Sequence, residues 1–199
     1  MNELNICIAG LGNVGASLIK SIEENQNYFI NKKAIKINIV GISAKSKNKT
    51  RNIDINKYKW FDDPLKMTEL DNCDVLVELI GQEKGISYDI IELALKNKKH
   101  VVTGNKALIA LNGDNLFKVA ENSSLALLFE AAVAGGIPVI KTIKKDLALN
   151  KINKISGILN GTTNYILSKM EEDNLSFHDA LTIAKDKGFT SDHESKLDI

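Results

Sequence analysis

Residues 4–9 (LNICIA) form a short apolar run that breaks at Gly10-Leu11-Gly12-Asn13-Val14-Gly15 and continues without a gap into Ala16-Ser17-Leu18-Ile19-Lys20-Ser21-Ile22. No other feature of the chain restricts its fold as strongly. An apolar run of this length without polar alternation suits a strand buried on both faces of a parallel sheet. Leu18, Ile19 and Ile22 fall on one helical face. In a G-x-G-x-x-G turn, Gly10 permits the tight bend and Gly12 lets the backbone approach a pyrophosphate. Gly15 lets helix and strand pack closely, and the helix N-terminus then faces the phosphates. The motif alone is weak. Strand before it and helix after it supply the context that dinucleotide binding requires, against the plainer reading of a structural glycine turn.

The pattern repeats downstream. Residues 36–42 read as a second strand, 58–61 as a short third ended by Asp62-Asp63-Pro64, and 73–80 as a fourth. Ile90, Ile91, Ala94 and Leu95 have helical spacing over 87–96, and Lys96 to Lys99 complement that helix's dipole. Residues 100–103 are a fifth strand and 125–129 a sixth, separated by helical patterns near 106–111 and 114–122. Such alternation predicts an α/β fold, a Rossmann-type doubly wound parallel sheet, over residues 1–130.

After Glu130 the character changes. Residues 131–140 (AAVAGGIPVI) are small and apolar, and Pro138 suits the first turn of a helix running to about Leu147. Residues 151–159 alternate like a strand with one exposed face. Asn160-Gly161-Thr162-Thr163-Asn164 turns into a helix through about Glu172. Ser176 with Asp179 caps a last helix that Gly188 stops. Residues 131–199 therefore read as a second, α+β region.

Composition narrows the functions. With 26 Lys+Arg against 25 Asp+Glu, the net charge of +1 argues against a surface built for nucleic acid or an anionic membrane. No apolar run reaches the roughly 18–20 residues that span a bilayer. Met1-Asn2-Glu3-Leu4 carries no basic region ahead of an apolar stretch, so no signal peptide is expected. The two cysteines, Cys7 and Cys73, read as core filler in a reducing cytoplasm. His100, His178 and His193 show no metal-ligand spacing. Arg51 is the single arginine, a bias that an AT-rich genome explains. Phosphates and carboxylates are then left to lysines, hydroxyls and backbone N–H groups.

Three positions stand out as chemistry. After the second strand, where a carboxylate would take the ribose 2′-OH of NAD, the chain has Ser43-Ala44-Lys45-Ser46-Lys47. Two lysines and two serines favour NADP; a solvated loop that admits both cofactors is the alternative. Thr103-Gly104-Asn105-Lys106 ends the fifth strand, where open α/β sheets bind ligands. There Lys106 could meet a substrate oxygen, although most lysines are surface lysines. Glu130 sits between an apolar strand and a near-neutral glycine-rich segment. Spacing leaves it either a hydrogen-bonded structural acid or one ligand of a cation shell completed by carbonyls near Gly135 and Gly136.

Together GLGNVG (10–15), VVTGNKAL (101–108), FEAAVAGGIPVI (129–140) and GILNGTTNYIL (157–167) resemble the homoserine dehydrogenases, with WFDD (60–63) and DVLVELIG (74–81) in support. The resemblance covers about residues 4–190. It implies NADP-dependent interconversion of L-homoserine and aspartate 4-semialdehyde, in threonine, methionine and isoleucine biosynthesis, by a cytoplasmic and usually homodimeric enzyme. It implies roles residue by residue. Gly10, Gly12, Asn13, Val14 and Gly15 form the cofactor loop, and Ala44 and Lys45 the adenosine-ribose position. Thr103 and Lys106 lie at the nicotinamide and substrate end, Lys106 as one of the family's two active-site lysines, and Gly188 lies near the nicotinamide. Asn160, Gly161 and Thr162 line the substrate pocket, and Glu130, Val133, Gly135 and Ile137 hold a sodium ion. The family's T-A-N-K is T-G-N-K here. The tail from Gly188 departs from the pattern: Asp192 takes the place of a substrate-binding glutamate, Glu194 of an aspartate and Ser195 of a proline. The family's second active-site lysine has no counterpart before Ile199. Weak or absent turnover by the chain alone is expected, and a catalytically inactive dinucleotide-binding remnant is the alternative. A dehydrogenase for a different small aldehyde is disfavoured by GILNGTTNYIL.

Overall fold

The structure, a computed structural model, describes residues 1–187 and Phe189. The chain divides into two compact units, Met1–Phe129 and Glu130–Ile199.

In the first unit, five parallel strands, β1 (Asn2–Ala9), β2 (Ile35–Ser43), β3 (Val75–Glu78), β4 (His100–Thr103) and β5 (Leu127–Leu128), stand in the order β2-β1-β3-β4-β5. The expected third strand at 58–61 is reduced to one parallel bridge, Ile42 to Trp60, on the outer side of β2. Ile42 N donates to Lys59 O and Phe61 N to Ile42 O. Little length is left for more. Upstream, Lys57 and Tyr58 reach back to Glu23, at 3.0 and 2.8 Å. Downstream, Asp63 accepts from Leu65 N and starts a 3-10 turn, Pro64–Glu69. With Trp60 counted, the order is that of a Rossmann sheet, 3-2-1-4-5-6 in chain numbering.

Strand side chains alternate between two cores, as a sheet covered on both faces requires. Cys7, Ala9, Leu76 and Val101 join one core with Ile90, Ile91, Leu95, Leu108 and Leu116. These come from α3 (Ile86–Lys96) and α4 (Lys106–Asn122). Ile6, Ile8 and Val77 join the other with Ile19 and Ile22 of α1 (Asn13–Glu24). Each fully buried Ile or Leu contributes about 1.5–3 kcal/mol of transfer free energy.

Three expectations need correction, and one helix was not expected. The patterns near 106–111 and 114–122 are the single helix α4. Gly113 is not a break but a packing position, where a Cβ would come within 3.1 Å of the Phe117 ring. The sixth strand narrows to Leu127–Leu128. A helix, α2 (Gln26–Lys33), escaped the pattern because it buries no residue. The Gln26 amide docks it on β2, donating to Ile37 O and accepting from Ile37 N at 2.7 and 3.2 Å. Residues 151–159 are not a strand. Among the described residues the second unit contains no strand at all, so their alternation has no ladder to join.

In that second unit, α5 (Val139–Lys141) follows Pro138 at its N-cap position and passes into a π-helical turn, Thr142–Asp146. α6 (Gly161–Glu172) is capped by Asn160, whose side chain accepts from Thr163 N at 3.0 Å. α7 (Phe177–Asp186) is capped by Ser176. Ile166 packs on Ala180 and Ala184 between α6 and α7.

Candidate dinucleotide-binding site

β1 and β3 are parallel neighbours whose connections run to opposite sides, to β2 and to β4, and a crevice opens above their carboxyl ends. A cavity of about 800 Å³ occupies it, lined by Gly10, Leu11 and Gly12, by Ser43, Ala44, Lys45 and Ser46, and by Leu79, Ile80 and Gln82. That volume lies in the usual range for small-molecule sites, roughly 300–1,000 Å³.

The glycine turn builds the floor. Gly10 has φ +101°, and a Cβ there would strike the Leu79 carbonyl. Gly15 lies buried in α1, where a Cβ would strike the Gly10 carbonyl. Gly12 has open space before it. The N-terminus of α1 begins at Asn13 with Gly12 as its cap and no side-chain cap, so its amides remain available to an anion. Asn13 lines an adjoining depression of about 350 Å³ with Leu11 and Gly12. Val14 is exposed.

Lys45 is exposed at the rim, and the Lys47 ammonium lies 5.8 Å from the Trp60 ring centroid. Sequence reasoning set Arg51 aside as a compositional oddity; the structure places it on the cavity wall. Its Nε donates to Leu11 O at 3.0 Å. Its other nitrogens donate to Ser46 O at 2.6 Å, Lys49 O at 2.9 Å and Lys47 O at 3.3 Å. One planar guanidinium thus ties the basic loop to the glycine turn.

Beyond the crossover, Thr103 is buried and Lys106 is exposed at the first turn of α4. The turn between them is fixed by Asn105. Its side chain accepts from Leu108 N at 3.1 Å, capping α4, and donates to Gln82 O at 2.7 Å. The anchor is Glu78, fully buried at the end of β3. Its Oε1 accepts from Ile80 N, Gly81 N and Ser87 Oγ at 2.9, 3.2 and 3.0 Å, and its Oε2 from Thr103 Oγ1 at 2.6 Å. Sequence reasoning passed over Glu78. An acid inside the apolar run DVLVELI was the available signal.

In the second unit, Glu130 caps a helix: its oxygens accept from Ile140 N and Lys141 N at 3.0 and 2.9 Å. Val133 is half-buried, and Gly135 and Ile137 are exposed. Asn160, Gly161 and Thr162 open α6, and Thr162 Oγ1 donates to Phe189 O at 3.0 Å. Gly188 and Asp192 lie outside the described residues.

One expectation of plain packing agrees with the geometry. Cys7 and Cys73 are buried, and a hydrogen bond to Cys73, then burial, push the Cys7 thiol far above its ordinary value. His178 is exposed on α7. Among the described residues, no cluster of three or more His, Cys, Asp or Glu is placed to hold a metal ion, and no helix is long and apolar enough to cross a membrane.

Comparison with known proteins gives a consistent set of likenesses. Residues 10–130 match the family described as homoserine dehydrogenase, NAD binding domain, and residues 138–199 match the family described as homoserine dehydrogenase. The homoserine dehydrogenase of Neisseria gonorrhoeae is 38% identical over 189 residues, covering 95% of this chain and 43% of that protein. That of Bacillus subtilis is 35% identical over 196 residues, with the same coverage, 95% and 43%. The chain therefore spans less than half the length of these relatives. Among solved structures, the Thiobacillus denitrificans homoserine dehydrogenase superposes with a TM-score of 0.87 at 31% identity, covering 100% of this chain and 46% of that one. The Staphylococcus aureus enzyme superposes at 0.74 and 39%, covering 97% and 45%.

Proposed function

The chain belongs to the homoserine dehydrogenase family, and we propose that it binds NADP and takes part in the reduction of aspartate 4-semialdehyde to L-homoserine. One observation carries this reading: a cavity at the sheet's crossover, floored by a glycine turn with open space before Gly12.

The bound dinucleotide supplies the hydride chemistry. The protein's part is to hold and polarise. Gly12 and the free amides of α1 meet the pyrophosphate. Ser43, Lys45 and Ser46 meet the adenosine ribose; residues 43–46 carry no carboxylate, which suits a 2′-phosphate, and the acid of the cavity lining is Asp62, from the loop after Trp60. Thr103 and Lys106 stand at the nicotinamide end. There the Lys106 ammonium holds the substrate by a hydrogen bond to one of its oxygens or its carboxylate. Asn160, Gly161 and Thr162 contribute a polar helix start for the amino-acid end of the substrate, and Gly188 and Asp192 extend the set in sequence.

Sodium has a secondary place in the proposal. The Glu130 carboxylate offers about four lone-pair sites and uses two on backbone amides. It keeps capacity for a hard cation, with the Val133, Gly135 and Ile137 carbonyls as oxygen partners. The ion would brace the 130–137 turn. A homodimer in the cytoplasm is the working form proposed, supported by the exposed apolar side chains Leu149, Ile155, Ile158 and Leu159. The reaction belongs to the synthesis of threonine, methionine and isoleucine.

The test is binding first, then turnover. NADPH titrated into the chain is expected to bind, and the Lys45→Ala/Lys47→Ala pair to weaken NADPH about tenfold while NADH changes by less than about twofold. Equal losses would sink the assignment of these lysines to a 2′-phosphate. Oxidation of NADPH that depends on aspartate 4-semialdehyde, followed with the chain alone and joined to the remainder of a family member, checks the substrate. If the joined protein binds NADPH and leaves the aldehyde untouched, the substrate assignment is wrong.

A further inference from the structure

We infer that Glu78 is a positioning residue for the nicotinamide half of the cofactor, locking together the two loops that flank it without touching the cofactor itself. The inference rests on the dinucleotide reading above and adds a residue to it.

In a Rossmann sheet the pyrophosphate crosses at the glycine turn, with the adenosine half over one side of the crossover and the nicotinamide half over the other. Here the adenosine side is Ser43–Ser46 after β2. The nicotinamide side must be the loops that leave β3 and β4. Those are the two loops Glu78 joins. From one carboxylate oxygen it holds Ile80 N, Gly81 N and the Ser87 hydroxyl, which fixes the cavity-lining turn 79–82 and the start of α3. From the other it holds the Thr103 hydroxyl.

The restraint then passes to the lysine. Thr103 Oγ1 accepts from Asn105 N at 3.0 Å, and Asn105 caps α4 directly before Lys106. The Asn105 amide also returns to Gln82 O on the cavity wall, closing the circuit. Every link in this chain is buried or half-buried, so solvent does not loosen it.

The choice of a carboxylate follows from counting donors. Four converge on Glu78, two N–H and two O–H. A carboxylate has about four lone-pair sites and no proton to place; a glutamine has about two acceptor sites and two donors that would meet donors. All four of these donors are neutral, so the buried charge rests on hydrogen bonds alone, an expensive arrangement for a merely structural strand end.

The test separates the two halves of the cofactor in the full chain. Wild type, Glu78→Gln, Thr103→Val and Thr103→Ser are titrated with NADPH and with adenosine 2′,5′-bisphosphate, which lacks the nicotinamide. Glu78→Gln and Thr103→Val are expected to weaken NADPH about tenfold and the bisphosphate by less than about twofold. Thr103→Ser, which keeps the hydroxyl, should restore wild-type NADPH binding. Parallel losses for both ligands, or no loss for either, overturn the inference. Should Glu78→Gln fail to fold, Ser87→Ala, which removes a donor to Glu78 from a residue outside the binding set, takes its place: NADPH weakened with the bisphosphate unchanged supports the inference, and any other pattern overturns it. A wild-type chain that binds neither ligand refutes the dinucleotide reading and this inference with it. A wild type that binds both, with variants that do not discriminate, refutes this inference only.

Discussion

Gly10→Ala is expected to destabilise the first unit by about 3 kcal/mol or more, seen as a lower urea midpoint with far-UV circular dichroism as the signal. Two costs add. Alanine is strained at φ +101°, and its Cβ would meet the Leu79 carbonyl and lie 2.7 Å from Ile80 N. Both are backbone atoms at the end of β3, and β3 is clamped between β1 and β4, so neither can swing aside as a flexible side chain would. Against a total stability of about 5–15 kcal/mol for a domain, such a loss leaves little margin. A midpoint shift worth less than about 1 kcal/mol would mean that β1 and β3 can separate at their carboxyl ends, and the turn would not be a rigid floor for the cavity.

Gly12→Val should do the reverse: keep the fold and lose the cofactor. Gly12 has φ −73° and ψ −162°, which any residue adopts, and a Cβ there would meet nothing within 4 Å. An isopropyl group there extends into the cavity that Gly12 lines, where it displaces a ligand. Two charge-assisted hydrogen bonds to phosphate, at about 1.5–3 kcal/mol each, correspond to roughly a hundredfold or greater loss of NADPH affinity. Calorimetric titration reads the affinity, and a melting curve on the same sample should move by no more than about 1 kcal/mol of stability. Unchanged NADPH binding would place the pyrophosphate elsewhere. Two glycines of one motif would thus divide between folding and binding.

How much of this could be read from the residues depends on whether a signal is local. The glycine turn, β1 and the amphipathic α1 are contiguous and self-explaining, and so is the alternation that leads to a two-faced sheet. Gly113 lies between the two patterns that form one helix, and only the Phe117 ring shows that a glycine there is a close contact. The alternation of 151–159 states a preference for a ladder but cannot supply the partner strand. α2 has no apolar stripe, and its docking through Gln26 is a side-chain bond to a strand formed later in the chain. Glu78 and Arg51 share that difficulty. Their partners lie 25 residues away at Thr103 and 40 residues away at Leu11. Periodicity carries no information about such pairings, although an acid in an apolar run and a solitary arginine each marked a place to look.

The clamp made by Arg51 bears on how this protein tolerates change. Its lysines amount to a reserve of positive charge: at the rim of the cavity one can be lost and another, on its long stem, can swing in. Arg51 has no understudy. Three of its nitrogens reach four carbonyls, and a tetrahedral ammonium with three donors cannot span that set. The chain is therefore redundant in charge and singular in shape, and its most conservative-looking substitution, arginine to lysine, falls where it has the least slack.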